Sequence, residues 1–111
     1  HATACAAGLQ NLAIIEREGL VARALHVGDR LSTGLQALAD DGSIDHVRGL
    51  GAMWAAGLRP DQNAMAVRDA MFDRGVVCRA LNADSLLFCP PLVTTDEQVD
   101  RIVDAVATAT R

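Results

Sequence analysis

The sequence predicts a small α/β (α+β) domain, with a mostly antiparallel sheet of about four strands, helices packed on one face and a long linking helix in front. Two observations carry this. Helix-period and strand-period apolar segments succeed one another as helix, helix, strand, strand, helix, strand, strand, helix. Hydrophobic residues make up 50% of the 111 residues while aromatics make up 3%, so an ordered aliphatic core is expected instead of disorder.

Ala2 to about Arg17 is alanine-rich, which favours helix. Its apolar residues spread around much of the helix surface, so this helix is expected to need a partner outside the chain. Gly19 punctuates. A second helix from about Leu20 to Ala39 places Val21, Ala24, Gly28, Leu31, Leu35 and Leu38 on one stripe, and Asp40-Asp41-Gly42-Ser43 ends it with turn chemistry. Ile44–Leu50 and Ala52–Leu58 read as strands, with Gly49 and Gly51 allowing a bend or bulge.

Arg59-Pro60-Asp61 closes that pair, and a helix is expected from about Asp61 to Arg74. Ala64, Val67 and Met71 would face the core, with Gly75 as C-cap. Val76–Ala80 and Ser85–Cys89 read as strands joined tightly by Asn82-Ala83-Asp84, hence antiparallel. Pro90-Pro91 stops the second. Thr95-x-x-Gln98 fits a capping box, and Val99, Ile102, Val103 and Val106 form the stripe of a last helix.

The net charge is −4 and the basic residues are scattered, which gives no footprint for nucleic acid and no polybasic membrane patch. No apolar run approaches the roughly 18 residues of a membrane helix. No Cys/His spacing resembles a zinc site, so no metal is expected. Cys5, Cys78 and Cys89 are expected to be buried free thiols of a cytoplasmic protein. The sequence does not begin with Met, and its first residues already read as mid-helix; a cut end is expected there.

Five motifs then follow in order. They are His1-Ala2-x-x-Cys5-Ala6-Ala7, Ile14-Ile15-Glu16-Arg17-Glu18-Gly19-Leu20, Val47-Arg48-Gly49-Leu50-Gly51-Ala52-Met53-Trp54, the segment from Gly75 through Arg79 to Pro90-Pro91, and Val93-Thr94-Thr95-Asp96-Glu97-Gln98-Val99-Asp100. Together they resemble the C-terminal end of class III (omega) aminotransferases, pyridoxal-phosphate enzymes of fold type I. Ala2 departs from the family's proline, and Asn82-Ala83-Asp84 is a residue longer than its compact Gly-Asp turn.

The resemblance implies residues 1–19 as a linking helix from a missing large domain and residues 20–111 as the C-terminal small domain. It implies a parent that transfers an amino group between an amine or amino acid and a keto acid, with pyridoxal 5′-phosphate as cofactor and a homodimeric assembly. It assigns Arg79 to substrate: a planar guanidinium holds a carboxylate through two parallel hydrogen bonds and swings aside for a plain amine. Read from pattern alone, Arg79 is more often a strand-end arginine in a weak surface ion pair, and it is the resemblance that favours substrate binding. The chain contains no lysine, all ten basic residues being arginine. A pyridoxal enzyme needs a lysine amine for its Schiff base, so the chain alone is expected to be inactive, with no catalytic and no cofactor-binding residue of its own.

Other residues read as structural. Arg48 is expected to pair across the sheet or with a helix carboxylate, and Trp54 to pack in the core. His1, His26 and His46 read as surface or packing residues, and Glu16, Glu18 and Glu97 as solvated charges. Cys78 should point to the core, opposite Arg79. The rival expectation is a stand-alone α/β interaction or ligand-sensing module that dimerises through its first helix. A related pyridoxal enzyme, an aminomutase or a decarboxylase, fits the same motifs.

Overall fold

The computed structural model describes residues 1–111. Its elements run α1 (Ala2–Arg17), α2 (Leu20–Asp40), β1 (His46–Leu50), β2 (Met53–Gly57), α3 (Ala64–Phe72), β3 (Arg79–Leu81), β4 (Ser85–Phe88) and α4 (Asp96–Ala109). The strands form one antiparallel sheet in the order β1-β2-β4-β3.

Register divides the sheet into two unlike faces. Val47, Ala56, Leu86 and Ala80 stand in one cross-strand row. They join Val27, Leu31, Leu35, Met71, Val99 and Val106 in a single core, so α2, α3 and α4 cover this face. Strand alternation sends the neighbouring row, Arg48, Ala55, Leu87 and Arg79, to the opposite face.

Helices α2, α3 and α4 each bury an apolar stripe. In α3, Ala64, Val67 and Met71 are buried, as their spacing predicts. In α2 the buried stripe is Leu20, Val27, Gly28, Leu31, Leu35 and Leu38; Val21, expected inside, is 70% exposed. In α4, Val99 and Val106 are buried and Ile102 and Val103 half-buried. Its capping box is formed: Thr95 Oγ1 accepts from Gln98 N, and Gln98 Oε1 accepts from Thr95 N at 2.9 Å. By contrast α1 buries none of its residues.

Three of the differences from the expected boundaries have a clear local cause. Gly49 and Gly51 make no bulge. Gly51 (φ 55°) and Ala52 form a two-residue turn between Leu50 and Met53, which a glycine at positive φ favours. Helix α3 starts at Ala64, not near Asp61, because Asn63 caps it by accepting from Met65 N and Ala66 N. Residues 59–62 form a separate turn, tied down by Gln62 Nε2 on the carbonyls of Ser43 and Thr110. Strand β3 starts at Arg79, not Val76: Val76 N donates to Met71 O, which keeps that end of the segment on the α3 terminus.

An ionic seam joins α2 to α4. Arg30 Nε and Nη2 grip the two carboxylate oxygens of Asp100 at 2.7 Å each. His26 and Arg23 both bind Asp96. These bonds hold Asp96 below the ordinary carboxylate pKa, and Arg30 does the same for Asp100.

Candidate functional site

The uncovered face of the sheet is where the chain presents chemistry. Arg79, the first residue of β3, is exposed and makes no hydrogen bond or ion pair within the chain. Its cross-strand partner is Leu87. An arginine on an edge strand, beside an apolar neighbour and free of carboxylates, keeps its full fork of donors for an incoming anion. Cys78, the preceding residue, turns the other way: its Sγ lies 3.8 Å from Met71 Sδ, and burial pushes the thiol pKa up. That thiol is not an activated nucleophile. Cys5 and Cys89 correct the expectation of buried thiols, since both are exposed. They stand on α1, which buries nothing, and at the end of β4 just before the Pro-Pro break.

A second arginine shares this face. Arg48 starts on β1, the far edge of the sheet, yet its Nη2 reaches Ser85 Oγ on β4 at 3.3 Å. The side chain therefore crosses β2, whose residues there are the small Ala55 and Gly57. A Cβ on Gly57 would overlap the His46 ring, so glycine makes the room for that ring to lie over β2. Arg48 Nη1 donates to His46 Nε2 at 2.7 Å. Because guanidinium only donates, Nε2 accepts; Nδ1 then carries the proton and donates to Asp45 Oδ2 at 2.8 Å. Ser85, only 2% exposed, passes its own hydrogen to Asp84 Oδ1. The result is a chain of hydrogen bonds Asp45–His46–Arg48–Ser85–Asp84.

Of the two expectations for Arg48, pairing across the sheet holds, through Ser85 on β4, and no helix carboxylate is involved. The sequence held its signal: His46 and Arg48 sit two apart on one strand face, opposite small residues. The partner Ser85 lies 37 residues away and leaves no mark in a local pattern.

Trp54 is half-buried against the core, with Nε1 donating to Gly51 O at 2.7 Å. His26 and His46 are exposed and bind aspartates. A cleft of about 340 Å³ lies between α4 and the Pro90-Pro91 segment. Arg79 is not in its walls; of the polar side chains there, Gln98 serves the cap of α4 and Arg101 donates to Arg74 O. No group of His, Cys, Asp and Glu is arranged to hold a metal. No helix is long and apolar enough to cross a membrane.

Comparison with known proteins agrees on one family. The family model for class-III aminotransferases matches residues 1–110. The diaminobutyrate–2-oxoglutarate transaminase of Halomonas elongata is 42% identical over 116 residues, covering 93% of this chain and 25% of that protein. An omega-aminotransferase of Caulobacter vibrioides is 32% identical over 111 residues, again with 25% of its length covered. Among solved structures, a thermostable omega transaminase six-fold mutant from Pseudomonas jessenii superposes with a TM-score of 0.84 at 32% identity, over 91% of this chain and 25% of that one. The chain thus spans about a quarter of the length of the relatives it matches.

Proposed function

The chain belongs to the class-III aminotransferase family, and we propose that it is the C-terminal portion of a longer pyridoxal-phosphate-dependent aminotransferase. Residues 1–19 are the linking helix and residues 20–111 the small domain. The parent moves an amino group between an amine or amino acid and a keto acid, and works in the cytoplasm as a homodimer.

The family's cofactor supplies an electron sink once it is joined to a lysine amine. The residues present here do not fit that attachment: no lysine exists in the chain, and Arg79 and Arg48 offer guanidinium groups that stay protonated. The cofactor lysine then belongs to the three quarters of a class-III chain that lie outside these residues. The 111 residues alone are catalytically incompetent.

Arg79 contributes to substrate binding. The observation that carries this is its unpaired guanidinium on the sheet face that no helix covers. There it accepts a substrate carboxylate as a bidentate pair and turns toward water when the substrate is a plain amine.

The test is Arg79→Ala in the full-length enzyme. The kcat/KM for a keto-acid or amino-acid substrate should fall by about tenfold to a hundredfold, the loss of one charge-assisted contact of roughly 1.5–3 kcal/mol. The kcat/KM for a simple amine should move far less. An equal fall for both would remove Arg79 from carboxylate recognition. A transaminase signal from the purified 111-residue chain would overturn its incompetence alone.

A further inference from the structure

We infer that Arg48 is a docking residue whose guanidinium takes a carboxylate from the part of the parent polypeptide outside these 111 residues. This rests on the chain being one portion of a longer enzyme. It concerns the joint between the two portions and not the substrate contact of Arg79.

Seven of the other nine arginines show what an internally satisfied one looks like here. Arg17, Arg23, Arg30, Arg59 and Arg68 each have a carboxylate within the chain. Arg74 and Arg101 close carbonyls at the end of α3. Like Arg74 and Arg101, Arg48 is held only by neutral acceptors, His46 Nε2 and Ser85 Oγ, but of these three it alone stands on the uncovered sheet face. Those bonds fix the side chain across β2 and leave its charge without a direct counter-ion and further N–H groups free. A guanidinium ordered in advance loses little rotamer freedom on meeting an anion, and that favours binding.

The surroundings select a large occupant over a small one. On the same face, by alternation from Arg48 and Ala55, stand Leu50 and Met53, 85% and 57% exposed. A positioned arginine flanked by bare Leu and Met is the composition of a protein interface core, where Arg and Met are enriched. A substrate-sized carboxylate would leave Leu50 and Met53 in water. A carboxylate carried on a folded surface covers them and pairs Arg48 in one step. The matched relatives are about four times as long as this chain, so such a surface is at hand in the family.

The absence of lysine gives a direct test. Arg48→Lys places a single lysine among these residues, and a zero-length carbodiimide joins an amine only to a carboxylate already touching it. The variant holoenzyme is treated, digested and mapped by mass spectrometry. The expected product links residue 48 to an Asp or Glu outside residues 1–111 of the same polypeptide. A link only to Asp45 or Asp84, a link to a second copy in an isotope-mixed sample, or no link overturns the inference. Arg48→Gln gives a second readout: its Tm should fall by roughly 2–4 °C at low salt, with most of the gap closing at high salt. A raised KM for carboxylate substrates at unchanged Tm would assign Arg48 to substrate and overturn docking. The visible band and transaminase activity of the unmodified enzyme are recorded in parallel. Their absence would refute the aminotransferase assignment without touching the cross-link result.

Discussion

Gly28 is the point where α2 comes closest to the β1–β2 turn. A Cβ there would overlap the carbonyl oxygen of Gly51, the same oxygen that accepts from Trp54 Nε1. Adding one methyl group must push the helix off the turn or break the indole bond. Gly28→Ala should therefore destabilise the fold by about 1–3 kcal/mol, although alanine is the better helix former. Urea unfolding followed by Trp54 fluorescence reads this directly, and a stabilised variant would show that the turn yields freely. The three thiols give a second residue-scale expectation. Cys78 is half-buried against Met71 with its pKa raised by burial, while Cys5 and Cys89 are exposed. Under mild alkylation two thiols should react promptly and Cys78 at least about tenfold more slowly; three equal rates would contradict the burial. Local pattern made Cys78 legible, since it alternates with Arg79 on one short stretch. It misplaced Cys5 and Cys89, because an apolar neighbourhood in sequence says nothing about whether another element covers it. In the Arg48 network only the far partner, Ser85, was hidden, because strand order fixes it and no local period encodes strand order.

Among the elements, α4 was the most legible, and its attachment to α2 was the least. Thr95, Gln98 and the Val99–Val106 stripe announce the helix and its start. The Arg23, His26 and Arg30 contacts that fasten it to α2 join residues some 70 positions apart. Asp96 and Asp100 titrate below their ordinary value of 3.8 because His26, Arg23 and Arg30 favour the charged form. The sign follows from linkage. A carboxylate whose folded pKa is depressed adds stability above its unfolded pKa, and that stability is lost as pH falls through the folded value. Between pH 5 and 2, stability should therefore drop more steeply in the native chain than in an Asp96→Asn, Asp100→Asn variant. Both should be followed by urea midpoints at constant ionic strength. Parallel curves would mean that the seam is energetically silent, as many exposed pairs are. The strand boundaries show a different limit. Val76-Val77-Cys78 has strand composition, yet Val76 is held by the α3 terminus and Val77 is 80% exposed, so pairing begins only at Arg79. Propensity gave way there to the way the preceding helix ends.

At the scale of the whole molecule, two features point outward: the uncovered sheet face and α1. The core draws on α2, the sheet, α3 and α4, and α1 contributes nothing to it. The molecule measures 51 × 26 × 22 Å, a long axis consistent with a projecting helix of about 24 Å. Leu9 and Leu12 on α1 are 70% and 63% exposed. An isolated helix of this length is marginal in water, so its order depends on a surface to lie against. The sequence is expected to leave α1 bare, because its apolar residues spread around the helix instead of forming one stripe. If that surface belongs to the rest of an aminotransferase, removing residues 1–18 subtracts exposed apolar area and no core contact. The shortened chain should then be more soluble, with an unfolding midpoint close to that of the full chain and unchanged Trp54 emission. If α1 instead pairs two copies of a self-standing module, the same cut should give monomers in sedimentation, or unfolding. An equally cooperative shortened chain, with no change in oligomeric state by sedimentation, therefore separates a domain taken from a larger enzyme from one that dimerises through its first helix.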